Sequence, residues 1–268
     1  VKLEDVLIGE VWICSGQSNM EWPVQRAMNA DAEIAAARFP QLRHIRIEPT
    51  VAKSPAATVR TSGWQTTTPQ TVGAFTAVGY FFARDLQPRL GVPVGLIHSS
   101  WGGTPVEAWM SPAALNAELG FAVVNERWSQ AVSDYPRLKA EYDGKLLAWT
   151  KAEAEAKAAA VTRAETTPRP KGGAKPDPSA LHAEWLRQNP RPRPPRGEGD
   201  SWTPSGLFNG MINPLLPYAL RGALWYQGES NADLASEYHA LFAALITGWR
   251  AHFAQGDFPF YWVSLANY

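Results

Sequence analysis

The chain has 268 residues, 45% of them hydrophobic and 19% charged, enough for one large α/β domain with a buried core or two small ones. Lysine plus arginine and aspartate plus glutamate stand at 25 each, so the net charge is zero and the basic excess of a nucleic-acid binder is missing. No apolar run approaches the ~20 residues that span a bilayer, and a single cysteine, Cys14, rules out an internal disulfide framework.

In chain order, strand-like apolar runs are predicted at Val6 to Cys14, Leu42 to Ile47, Val94 to His98, Leu220 to Tyr226 and Phe258 to Leu265. Their short, continuous apolar character suits a parallel sheet covered on both faces. A helix is predicted over Phe75 to Leu90, with Phe75, Val78, Gly79, Phe82 and Leu86 on one stripe. Another covers Asp233 to Phe253, with Leu234, Tyr238, Leu241, Leu245 and Trp249 inward and Asp233 as N-cap. Alternating strands and helices give a doubly wound, flavodoxin-like α/β fold with a parallel five-stranded sheet, in which ligands sit beyond the carboxyl ends of the strands. Tyr135 to Glu165, rich in alanine, lysine and glutamate, reads as a long helix or helical hairpin. Thr166 to Asp200, with Pro168, Pro170, Pro176, Pro178, Pro190, Pro192, Pro194 and Pro195, reads as an irregular excursion. The expected organisation is therefore residues 1–134 and 201–268 forming one domain, with 135–200 inserted. Most of the 12 tryptophans are expected in the core or its rim, and exposed ones suit stacking on sugar rings.

Three polar, glycine-bearing turns follow three of the strands. Gly16-Gln17-Ser18-Asn19-Met20 places a serine on a tight turn, where a nucleophile and converging N–H groups are needed. A serine there is also an ordinary helix cap. In Ser99-Ser100-Trp101-Gly102-Gly103-Thr104 the paired glycines let the backbone approach a ligand, and the N–H of Gly102 or Gly103 is a candidate oxyanion donor. In Trp225-Tyr226-Gln227-Gly228-Glu229-Ser230-Asn231, Gln227 offers a neutral donor and Glu229 a carboxylate able to orient a histidine. Each turn alone also reads as ordinary loop, and their conjunction is what carries the chemistry. No His or Cys cluster has metal-ligand spacing, so neither metal nor cofactor is expected.

The segments Val11 to Trp22, Trp101-Gly102-Gly103-Thr104-Pro105-Val106-Glu107-Ala108-Trp109 and Trp225 to Asn231 resemble the sialate O-acetylesterase family of the SGNH hydrolases, which is similar to bacterial acetylxylan and other polysaccharide acetylesterases. Phe75 to Gly103 and Leu207 to Tyr226, with Phe208-Asn209-Gly210-Met211-Ile212, extend the likeness. The resemblance implies an acetylated carbohydrate as substrate and a secreted or periplasmic location. It implies Ser18 as nucleophile, oxyanion donors from the Ser18 backbone, from the Gly102–Gly103 pair, with Gly102 preferred over Gly103 because Thr104 then keeps the usual spacing, and from Gln227, and a substrate side holding Gln17, Asn19, Glu21, Trp101 and Asn231. Glu229 is the candidate carboxylate partner of the base.

The sequence departs from the family at the base. Relatives carry an Asp-x-x-His segment after the fifth strand, and none of His44, His98, His182, His239 or His252 stands in one. His98 lies in the right layer of the fold, but the base is expected from residues outside this sequence, in a missing C-terminal segment or a companion chain. The chain begins at Val1 without methionine or a signal-like stretch, so a processed product or a fragment is expected. The rival reading is a catalytically silent carbohydrate-binding module on the same fold. A nucleotide-binding domain is more distant, because no phosphate-binding glycine motif is present.

Overall fold

The structure, a computed structural model, describes residues 2, 4–168, 173 and 175–266; Pro170 of the proline-rich stretch lies outside the described residues. It divides into two compact units, Val1–Trp128 with Glu198–Tyr268, and Ser129–Gly197.

The first unit is built on β1 (Glu10–Gly16), β2 (Phe39–Arg46), β3 (Gln65–Thr67), β4 (Val94–Ser100), β5 (Gly222–Tyr226) and β6 (Phe260–Trp262). They form one six-stranded sheet in the order β3-β2-β4-β1-β5-β6. Every neighbouring pair is parallel except β2 and β3. The expected five strands are thus joined by a sixth, an antiparallel edge of three residues, Gln-Thr-Thr, too short and polar to carry an apolar pattern. The order also differs from the flavodoxin type: β1 lies between β4 and β5, not between β2 and β4. From β1 the chain crosses out to β2 and the edge strand β3, returns to β4 between β2 and β1, then passes to β5 and β6 on the other side of β1. The switch point is at β1, where a doubly wound sheet opens its crevice.

Alternation across the sheet sorts the core. Trp12, Cys14, Leu42, Val94, Leu96 and Leu224 pack on one face, with Val78, Phe82 and Leu86 of a covering helix. Ile13, Ile97, Ala223 and Trp225 face the other way, toward Leu241, Leu245 and Trp249. In chain order the helices are α1 (Ser18–Glu21), α2 (Ala30–Ala36), α3 (Ala77–Leu90), α4 (Pro112–Leu115), α5 (Ala122–Thr166), α6 (Pro178–Gln188) and α7 (Ala235–Phe253). Thr76 caps α3 by accepting the Gly79 N–H, and Gly91 ends it in the left-handed conformation. Asp233 does not cap α7: Glu229–Leu234 is a 3-10 turn, and α7 starts after Leu234 with no side-chain cap.

The unit Ser129–Gly197 holds most of α5 and all of α6. Within it, Trp149 packs near Trp185 and donates its indole N–H to the Asn189 carbonyl at 2.9 Å. The sequence reading missed α6 among the prolines, although Asp177 caps it by accepting the Ser179 N–H and Pro178 opens it.

Candidate active site

The parallel register brings three strand ends level. Gly16 of β1 stands opposite Ser100 of β4 and Tyr226 of β5, so the three polar turns leave the sheet side by side. Gly16 adopts φ 130°, and a Cβ there would lie 2.2 Å from the Tyr226 carbonyl oxygen. Only glycine lets β1 turn here. The turn is tied by Gln17 N–H to Tyr226 O at 2.9 Å and Trp101 N–H to Gly16 O at 3.1 Å.

Ser18 opens α1 at this point and is exposed. Gly102 lies directly against it: a Cβ on Gly102 would meet Ser18 Cβ at 3.3 Å. The Gly102 N–H, however, donates to Glu21 Oε2 at 2.8 Å, while the Gly103 N–H has no hydrogen bond among the described residues. Glu21, three residues beyond Ser18, shares its side of the helical turn. Arg46, at the end of β2, stands 3.6 Å from its other oxygen. Burial raises the Glu21 pKa above its ordinary value, against the lowering effects of the Gly102 N–H and the Arg46 charge.

Asn19 donates from Nδ2 to Glu229 Oε1 at 2.5 Å. The other carboxylate oxygen, Glu229 Oε2, is buried without a partner. A buried acceptor in that state suits an N–H donor such as an imidazole. Leu265, after β6, packs close to Gly228, whose Cβ it would meet at 2.7 Å, so the chain beyond the last strand returns to the Glu229 turn.

Gln227 is only 2% exposed, and its Nε2 donates to Thr104 O at 3.1 Å and Asn231 Oδ1 at 2.7 Å. The orientation is forced. Asn231 Nδ2 donates to buried Glu107, so its Oδ1 takes the N–H of Val106 and of Gln227. Both Gln227 amide hydrogens are committed, and the expectation that they face an oxyanion is revised. They bind the turn after β4 to the turn after β5. Gln17 and Asn231, each 3% exposed, are likewise enclosed instead of facing a substrate. Gln17 Oε1 lies 3.5 Å from the Gly228 N–H and 3.4 Å from the Ser230 N–H. Trp101 is half-buried beside the glycine pair, and Trp202, which the sequence reading did not single out, donates its indole N–H to Gly103 O at 2.6 Å.

No described histidine hydrogen-bonds to Ser18. His98 is 2% exposed inside β4, with Nε2 on Ser100 Oγ at 2.7 Å and Nδ1 buried without a partner. Burial, then the His44 and Arg46 charges, hold its pKa well below normal, and its ring is engaged by Ser100 inside the sheet and not by Ser18. His44 stacks on Phe75 and is pushed down to about 3, mainly by burial. His239 and His252 are exposed on α7. Among the described residues no cluster of His, Cys, Asp and Glu could hold a metal ion.

The chain matches a family model described as carbohydrate esterase, sialic acid-specific acetylesterase, over residues 8–162 and 200–268. It is 33% identical to rat sialate O-acetylesterase and 30% identical to the human protein, matching 100% of this chain but 45% and 41% of theirs. A solved carbohydrate acetylesterase from Xanthomonas citri superposes with a TM-score of 0.61 at 30% identity, over 95% of this chain and 41% of that one. The chain thus spans less than half the length of the relatives it matches. With the level strand ends, the exposed serine and a match interrupted only over residues 163–199, the chain belongs to the sialic acid-specific acetylesterase family of carbohydrate esterases.

Proposed function

We propose that this chain carries the nucleophile of an enzyme that removes O-acetyl groups from a carbohydrate through an acetyl-Ser18 intermediate. The observation that carries this is Ser18, exposed on the turn after β1 against Gly102, with Glu229 nearby on the Asn19 amide and one oxygen still unpartnered. An imidazole supplied by residues outside this sequence takes the Ser18 proton, its other N–H held by Glu229 Oε2. Oγ bonds to the acetyl carbon, and the oxyanion is met by the N–H groups of Ser18 and Gly103. The carbon–oxygen bond to the sugar then breaks, the sugar oxygen receiving the imidazolium proton. Water, deprotonated by the same imidazole, attacks the acetyl carbon and frees acetate and Ser18. A sialate is the first substrate to test, because the rat and human relatives carry that name, and neutral acetylated polysaccharides are the second. The family likeness also supports a secreted or periplasmic location, which cell fractionation of the full-length protein checks.

Aryl acetate hydrolysis tests the mechanism. The full-length protein is expected to be active and its Ser18→Ala variant inactive. The 268-residue chain alone should be far slower, retaining at most a residual effect of roughly 10³–10⁴ over water. Equal rates from chain and full-length protein would overturn the external base.

A further inference from the structure

We propose that Glu21 is a positioning residue of this esterase: its carboxylate holds the Gly102–Gly103 turn against the nucleophile's own helical turn and leaves the Gly103 N–H as the donor of that turn. The inference rests on the esterase reading and assigns Glu21 a task other than substrate contact. Three observations carry it. Glu21 Oε2 accepts the Gly102 N–H at 2.8 Å, and Gly102 abuts Ser18, so one carboxylate links the two halves of the site. Ser18 and Glu21 lie at opposite ends of the four-residue α1, so a shift of the glycine turn is transmitted to the nucleophile within a single turn of helix. Among the described residues the Gly102 N–H has a partner and the Gly103 N–H has none, while the Gly103 carbonyl is held separately by the Trp202 indole at 2.6 Å.

The same geometry explains Arg46. A carboxylate beside a developing oxyanion opposes the transition state by like-charge repulsion. Arg46, 3.6 Å from Glu21 Oε1, offsets that charge without taking the oxygen that Gly102 uses. What the site needs from Glu21 is therefore an acceptor oxygen at the right place, and its negative charge is a burden that Arg46 relieves.

The test compares Glu21→Ala and Glu21→Gln in the full-length protein by kcat and KM on an aryl acetate, with thermal melting alongside. Glu21→Ala should lower kcat by about 10²-fold with KM little changed, the loss typical of a reacting group displaced by about 1 Å. Glu21→Gln keeps the acceptor and sheds the charge, so it should recover most of kcat, and in that background Arg46→Ala should become harmless. A rise in KM at constant kcat in Glu21→Ala would return Glu21 to substrate binding and overturn the proposal. A rise in kcat would mean that Glu21 blocks the Gly102 donor, and would also overturn it. So would a kcat loss that follows the melting temperature equally in both variants. Failure of the esterase reading itself is distinct, since wild-type protein would then show no hydrolysis dependent on Ser18.

Discussion

Gln227 illustrates how a residue type can be right and its task different. As an exposed oxyanion donor, its removal would lower kcat and leave stability unchanged. As a buried strut on Thr104 O and Asn231 Oδ1, its removal leaves interior acceptors short of donors, at a cost of about 1–3 kcal/mol. Gln227→Ala is therefore expected to unfold at lower urea, with kcat falling in step; a kcat loss at unchanged stability would restore the donor role. The strand-end positions of Ser18 and Glu229 were legible in the sequence because each follows directly on a buried apolar run. Which donors are free was not, because Glu21 and Asn231 claim the Gly102 and Gln227 hydrogens through tertiary contacts that no local pattern records.

At the scale of elements, the sequence marks what is periodic and misses what is short. All five predicted apolar runs overlap a strand, since Ile13, Leu96 and Trp225 are buried between helices and must be apolar. Their edges moved. Val6 and Ile8 have the composition of β1 yet are 63% and 91% exposed ahead of it, because parallel pairing begins at Glu10, opposite Val94. The continuous helix from Ala122 to Thr166 starts well before the alanine-rich stretch that announced it, running through Pro136. The turn after β5 was expected to lead straight into a helix capped by Asp233. It runs instead as a 3-10 segment, which keeps Asn231 pointed back into the site for its bonds with Val106 and Glu107.

For the whole molecule, the two buried histidines set a dependence on acidity. His44 and His98 sit inside the sheet, their rings 5.5 Å apart and under the influence of Arg46, and both resist protonation while folded. Unfolding returns each imidazole to a pKa near 6.5, where it takes up a proton that the folded chain refuses. Stability therefore falls as the pH drops below that value, by up to about 1.4 kcal/mol per pH unit for each histidine. For His44 the decline continues toward about pH 3. Urea unfolding between pH 7 and pH 5 should show this slope, and His44→Phe should flatten it by about half. An unchanged slope in the variant would mean that His44 is not the group responsible.

Gly16 has a consequence for heredity. Any side chain there strikes the Tyr226 carbonyl, part of the main chain, which no substitution elsewhere can trim away. At Gly102 the first obstacle is the end of the Glu21 side chain, which can swing aside or be exchanged. A lineage that loses Gly16 should thus have no second-site route back. A suppressor screen for folded protein begun from Gly16→Ala is expected to yield only true revertants, whereas one begun from Gly102→Ala should also return changes at Glu21. Recovery of a distant suppressor of Gly16→Ala would show that β1 and β5 can separate at their ends, and that the level arrangement of the three turns is less rigid than the backbone contact implies.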